Sequence, residues 1–111
     1  MTSVLCNQVA RQIHKERRMA RLSVDINGEQ RTFALTDNGI QIGRALDNDI
    51  VLNHAIVSRR HAQVLRREGR FVIEDKGSLN GTFLNRRRIE SGQLEDGDEV
   101  QIGKYKLTFL S

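Results

Sequence analysis

Leu22-Ser23-Val24-Asp25-Ile26, then Asn27-Gly28, then Thr32-Phe33-Ala34-Leu35, is the stretch whose reading decides the fold. In its first run, apolar and polar residues alternate at a period of two. That spacing turns one face of a strand toward a core and the other toward water. Asn-Gly is the pair best suited to two successive left-handed positions, so it predicts a two-residue hairpin between the runs. Outward from this hairpin, similar short runs recur at Ile40-Gln41-Ile42, Ile50-Val51-Leu52, His61 to Leu65, Phe71 to Glu74, Thr82-Phe83-Leu84, Glu99 to Ile102 and Tyr105 to Leu110. Glycines at 28, 39, 43, 69, 77, 81, 92, 97 and 103 punctuate them. Short strands with regular turn signals predict an all-β fold, an antiparallel β-sandwich.

The first residues follow another period. Leu5, Val9 and Ile13 recur every four residues, and Thr2 or Ser3 can cap the start, which predicts a short amphipathic helix ending near Met19. Its apolar stripe is thin and its opposite face basic, so a disordered basic leader is the alternative. The chain therefore divides into a leader at 1–19 and a β domain at 20–111, and the last apolar run closes that domain at Leu110.

A chain of 111 residues is large enough for one domain. It contains no apolar run of membrane-spanning length and no signal-peptide pattern. Cys6 is the only cysteine, so an intrachain disulfide and a cysteine zinc cluster are excluded, and a reducing, cytoplasmic compartment is expected. The net charge is +4, and Arg11, Lys15, Arg17, Arg18 and Arg21 against Glu16 account for all of it. Residues 22–111 are electrically balanced, which argues against a nucleic-acid-binding face.

Small polar and basic groups gather where strands give way to turns: Gly43-Arg44, Ser58-Arg59-Arg60-His61, Ser78-Leu79-Asn80-Gly81-Thr82 and Asp96-Gly97-Asp98. Guanidinium, hydroxyl and amide groups on neighbouring loops are what a phosphate monoester dianion requires, since Arg offers it planar, charge-assisted hydrogen bonds. Each residue also has a plainer reading: Arg44 and Arg59 as solvated surface cations, Ser58 as a turn cap, Asn80-Gly81 as an ordinary turn pair. Catalysis finds little support. Ser58, His61 and Asp75 can be drawn as a triad, but no Gly-x-Ser-x-Gly elbow accompanies them. His54 and His61 have no third partner at ligand spacing, so no metal site is expected. No glycine-rich nucleotide loop is present either, and no cofactor is expected.

Gly43-Arg44, Ser58-x-x-His61, Asn80-Gly81-Thr82 and the closing Leu94-x-Asp96-Gly97-Asp98-x-Val100-x-Ile102-Gly103 together resemble a forkhead-associated (FHA) domain over about residues 20–111. Each motif alone is weak; four in order on a predicted all-β chain are specific. The resemblance implies a sandwich of about eleven short strands whose loops at one end bind phosphothreonine. It places Arg44, Ser58 and Arg59 against the phosphate and Asn80 against the peptide backbone. Gly43, His61, Ser78, Gly81 and Thr82 shape the loops. The partner implied is a threonine-phosphorylated protein in Ser/Thr kinase signalling, with the domain acting as an adaptor; the alternative is a scaffold of the same fold for an unphosphorylated protein. One departure stands out. Family members often carry Asn-Gly after the Thr-Phe-Leu strand, whereas this chain has Asn85-Arg86, so a changed turn is expected there.

Overall fold

A computed structural model describes residues 20–111; the expected leader at 1–19 lies outside the described residues. Eleven strands follow one another: β1 (Arg21–Ile26), β2 (Glu29–Ala34), β3 (Ile40–Gly43), β4 (Ile50–Val51), β5 (Ala62–Arg67), β6 (Arg70–Asp75), β7 (Thr82–Leu84), β8 (Arg87–Ile89), β9 (Ser91–Gln93), β10 (Glu99–Ile102) and β11 (Tyr105–Leu110). They form two sheets, ordered β2-β1-β11-β10-β7-β8 and β4-β3-β5-β6-β9. Every pairing is antiparallel except the short β3–β4 pair, where Ile42 faces Ile50 and Gly43 faces Val51.

The period-two pattern is what makes the layers stick. Leu22, Val24, Val100, Ile102, Leu107 and Phe109 of the first sheet and Ile40, Ile42, Ile50, Ala62, Val64 and Ile73 of the second are buried in a common core. Leu35, Leu52, Val57 and Leu94 join it from the connections. Each large aliphatic side chain so buried contributes roughly 1.5–3 kcal/mol relative to exposure. Strands β8 and β9 have no such signature, being Arg-Arg-Ile and Ser-Gly-Gln. They are strands because β7 and β6 supply a ladder: Leu84 pairs with Arg87, Thr82 with Ile89, and Glu74 with Ser91. Cross-strand partners, rather than intrinsic preference, decide such segments.

Three hairpins turn in two residues that are both left-handed: Asn27-Gly28 (φ 54° and 86°), Glu68-Gly69 (52° and 77°) and Asn85-Arg86 (48° and 72°). The turn at Asn85-Arg86 therefore keeps the geometry of an Asn-Gly hairpin, contrary to the changed turn expected from the arginine. Asn85 holds it in place. Its amide donates to Glu99 O at 2.8 Å, its Nδ2 to Asp98 Oδ1 at 3.0 Å, and its Oδ1 accepts from Glu99 N at 3.0 Å. The register dictates the turn, and Arg86 accepts a left-handed backbone that disfavours a Cβ.

Strand directions sort the connections. The turns at 27–28 and 103–104 and the loops 44–49, 52–61 and 76–81 gather at one end of the sandwich, where Ile56 packs beside Gly103 and His61 reaches Gly81. The 68–69, 85–86 and 94–98 turns lie at the other end.

Arg86→Gly relieves the left-handed strain and is expected to raise unfolding free energy by up to about 1 kcal/mol, less the extra freedom glycine gives the unfolded chain. A urea titration checks this; a destabilised variant would show that the Arg86 side chain makes a compensating contact.

Candidate functional site

The site is assembled from three loops, beginning where β3 runs out. Gly43 is needed there because two backbones nearly touch. A Cβ on it would stand 2.2 Å from Arg59 O and 2.9 Å from Asn48 Nδ2. That proximity lets Arg44 N donate to Ser58 O at 3.0 Å and Ala45 N to Arg59 O at 3.3 Å, so the 44–49 and 52–61 loops zip together. Asn48, nearly buried, completes the seam. Its Nδ2 donates to Ala45 O at 2.8 Å and to Arg59 O at 2.9 Å, and its Oδ1 accepts from Arg60 at 3.0 Å.

These bonds sort the arginines. Arg60 is committed to Asp47 at 2.5 Å, and this hydrogen bond, outweighing slight desolvation, holds the Asp47 carboxyl below its ordinary value. Among the described residues Arg44 donates only its Nε, to Val57 O at 3.0 Å, so neither terminal nitrogen is bonded within them. Arg59 is pinned through its backbone while its side chain is exposed. Arg44 and Arg59 line one open depression together with Ala45, Leu46, Asp47 and Asn53.

His61 is fully buried and joins the second loop to the third. Its Nδ1 accepts from Ser58 N at 3.1 Å, which assigns the ring proton to Nε2, and that nitrogen donates to Gly81 O at 2.9 Å. Both ring nitrogens are thus occupied by backbone. Ser58 Oγ accepts from Leu79 N at 3.2 Å, Asn80 Nδ2 donates to Ile56 O at 2.7 Å and Lys76 N donates to His61 O at 2.9 Å, so with the His61 ring the 52–61 and 76–81 loops are tied at four points.

The 76–81 loop is organised by Asp75, the last residue of β6. One carboxylate oxygen accepts from the Gly77 and Ser78 amides at 3.0 Å each. The other accepts from Ser78 Oγ at 2.5 Å and Thr82 Oγ1 at 2.7 Å. Ser78 Oγ in turn accepts from Gly81 N at 3.0 Å. Partial burial pushes the Asp75 carboxyl up, but the hydrogen bonds from Ser78, Thr82 and the two amides outweigh it and hold the group below its ordinary value. Gly81 is left-handed at φ 90°, and a Cβ there would meet Arg88 Nε at 2.7 Å.

Arg44, Ser58, Arg59 and Asn80 are therefore brought to one end of the sandwich, with Gly43, His61, Ser78, Gly81 and Thr82 beneath them. Asp96-Gly97-Asp98 is not: Asp98 lies at the opposite end, bonded to Asn85 and to Glu95 N at 2.8 Å. Sequence reasoning missed Asn48 and assigned Asp75 only to a rejected triad. The signal for Asp75 was its place three residues before Ser78, the spacing of a side chain that caps its own turn. Among the described residues, no group of three His, Cys, Asp or Glu is placed to hold a metal, and no helix is long and apolar enough to cross a membrane.

An eleven-stranded sandwich presenting arginine, serine and asparagine from loops at one end is the architecture of FHA domains. The FHA domain family model matches residues 40–103, and the chain belongs to this family. It is 48% identical over 79 residues to the glycogen accumulation regulator GarA of Mycolicibacterium smegmatis, covering 71% of this chain and 50% of GarA. It is 47% identical over 79 residues to the oxoglutarate dehydrogenase inhibitor of Corynebacterium efficiens, covering 71% of this chain and 56% of the inhibitor. The chain spans about half the length of the curated relatives it matches. A solved FHA domain from structural and functional work on phosphothreonine-dependent FHA domain interactions superposes with a TM-score of 0.77 at 30% identity, covering 83% of this chain and 95% of that one.

His61→Phe keeps an aromatic ring, somewhat larger, but strands the Ser58 amide and the Gly81 carbonyl, so it should lower unfolding free energy by roughly 2–5 kcal/mol in urea. A loss below about 1 kcal/mol would mean the ring merely fills space.

Asp75→Asn can keep its oxygen on the Gly77 and Ser78 amides only by turning its NH2 toward the Ser78 and Thr82 hydroxyls, which lose their charged acceptor, and should cost roughly 1–2 kcal/mol at neutral pH, moderated by partial exposure. Because the folded-state carboxyl lies below its ordinary value of 3.8, its stabilisation is complete above that value and is lost as pH falls through the lower folded one. Urea titrations through the acid range should show a shallower loss of stability in Asp75→Asn than in the parent. Parallel curves would contradict the assignment.

Proposed function

We propose that this domain binds a threonine-phosphorylated segment of a partner protein and acts as a non-catalytic adaptor in Ser/Thr kinase signalling. The observation that carries the proposal is the set of unspent hydrogen-bonding groups around Ser58. Among the described residues the two terminal guanidinium nitrogens of Arg44 make no bond, Arg59 is exposed in the same depression, and the Ser58 hydroxyl already accepts from Leu79 N, leaving its proton to donate. Two cations and a hydroxyl donor match the charge and acceptor count of a phosphate dianion. Asn80 spends an amide hydrogen on Ile56 O and keeps Oδ1 for a peptide N–H beside the phosphoresidue. The likeness to a solved FHA domain from work on phosphothreonine-dependent interactions supports the same reading.

A hydrolytic role is disfavoured by the same bonds. His61 has no nitrogen left to take a proton from Ser58, and the Ser58 amide, not its hydroxyl, is what His61 contacts.

The test is a phosphothreonine peptide titrated against the parent and single variants. Arg44→Ala should weaken binding about 10- to 200-fold, since a charge-assisted bond contributes about 1.5–3 kcal/mol and the dianion is left less compensated. Ser58→Ala, removing one neutral donor, should cost about five- to thirtyfold. Both variants change exposed or half-buried loop positions and should melt within a few degrees of the parent. Undiminished binding by Arg44→Ala would place the pocket elsewhere and favour the scaffold for an unphosphorylated partner.

A further inference from the structure

We propose that β2 is a self-pairing edge, through which two copies of this chain join their six-stranded sheets into one continuous sheet. The proposal concerns assembly and goes beyond phosphopeptide recognition.

Among the described residues four strands end the two sheets: β2 and β8 in the first, β4 and β9 in the second. A sheet edge is a row of unpaired amides and carbonyls, and proteins commonly shorten, break or charge it against association. Strands β8 and β9 have three residues each and β4 has two, and two arginines further guard β8. Strand β2 differs in each respect. It has six residues, all exposed but Phe33, and pairs with β1 without a bulge from Glu29 to Ala34. It contains neither lysine nor proline, and its two charges, Glu29 and Arg31, neutralise each other at 3.4 Å.

The hairpin fixes which main-chain groups of β2 face outward. In a two-residue hairpin the flanking residues, here Ile26 and Glu29, exchange both main-chain bonds, and every second pair along the ladder repeats this. Val24–Arg31 and Leu22–Phe33 are therefore bonded pairs, and Leu35 N donating to Ala20 O at 2.7 Å continues the phase. The amides and carbonyls of Gln30, Thr32 and Ala34 point away from β1. No strand lies beyond them among the described residues.

Those groups match a second copy of themselves. With the twofold axis at Thr32, Thr32 faces its counterpart and Gln30 faces the other copy's Ala34, in both directions. All three facing pairs are then of the bonded kind, and each supplies two intermolecular hydrogen bonds. An axis at Arg31 or Phe33 leaves only two such pairs within the strand, and the former sets Arg31 against itself, a like-charge clash. The side chains agree with the axis at Thr32. Threonine meets threonine on the outer face, a favourable cross-strand pair. On the core-side face Arg31 stands opposite the other copy's Phe33. Phe33 is only partly buried against the core, and a guanidinium over its open ring adds a cation–π contact. The twofold also sends the two site-bearing ends in opposite directions. Such a dimer bridges two phosphorylated partners instead of clamping one, a consequence that rests on the reading proposed above.

An edge contact of this kind buries less than about 1,200 Å², so a weak dimer is expected. Sedimentation equilibrium of the full chain, without any peptide, should show monomer at about 10 μM and dimer accumulating toward about 1 mM. Thr32→Pro removes the central amides, which the β1 ladder does not use, and Thr32→Lys sets two lysines directly opposite. Each should weaken the dimer by about tenfold or more. Thr108→Lys puts the same charge on the same face but inside the sheet, between β1 and β10, and should leave dimerisation within about twofold. Hydrogen exchange should protect the Gln30, Thr32 and Ala34 amides at the higher concentration and expose them at the lower. A chain that stays monomeric to about 1 mM overturns the proposal, as does a dimer indifferent to both Thr32 variants. Protection of the three amides in the monomer would mean that another segment of the same chain covers the edge, and overturns it equally. Because no peptide is present, a failed phosphopeptide titration removes only the bridging consequence and leaves this result standing.

Discussion

The constraint on which the rest of the site depends is the burial of His61. Its amide donates to Ile42 O at 3.0 Å and its carbonyl accepts from Lys76 N at 2.9 Å, while its ring bridges Ser58 N and Gly81 O. One residue thus fastens β3, the 52–61 loop and the 76–81 loop to each other from below. Inside the sandwich each of these backbone groups would be costly to leave unpaired, so the four bonds act as a demand on loop position as well as a gain in stability. A neutral ring with one donor and one acceptor is the side chain that meets that demand at this spot.

Around that fastening, the structural residues spend their hydrogen-bonding capacity and the surface residues keep theirs. No buried side-chain nitrogen or oxygen among the described residues lacks a partner. Asn48 spends both amide hydrogens and its oxygen on the seam between the 44–49 and 52–61 loops, and Asp75 accepts four bonds in closing the 76–81 loop. Among the described residues Arg44, Ser58 and Asn80 are each anchored by a single side-chain bond that fixes direction and leaves further donors or acceptors unspent. On the proposed reading, this division of labour is the source of binding strength. The donors are already aimed before the phosphate arrives, so little is lost in ordering them.

How much of this the amino-acid sequence reveals depends on the range of the interaction responsible. The β1–β2 hairpin is written locally in the Leu22 to Leu35 alternation and in Asn27-Gly28, and the core strands β3, β5, β6, β10 and β11 are equally plain. Strands β8 and β9 are not, because Arg87–Ile89 and Ser91–Gln93 become extended only when neighbours offer a ladder. The site shows the same division. Arg44, Ser58, Arg59 and Asn80 are visible as residue types suited to phosphate. Asn48 is invisible, since its three bonds reach loops eleven and twelve residues away as well as its own. Asp96-Gly97-Asp98 misleads in the other direction. It belongs to the family pattern but serves the far end of the sandwich, where it steadies the Asn85-Arg86 turn.

The central claim is that the unspent donors of Arg44, Ser58 and Arg59 exist to meet a phosphate. The most direct measurement is a calorimetric titration of one phosphothreonine peptide and its unmodified twin, each at low and high salt. Binding by the phosphorylated peptide alone is expected, weakening as salt screens the charges. Equal binding of the two peptides, insensitive to salt, would contradict it.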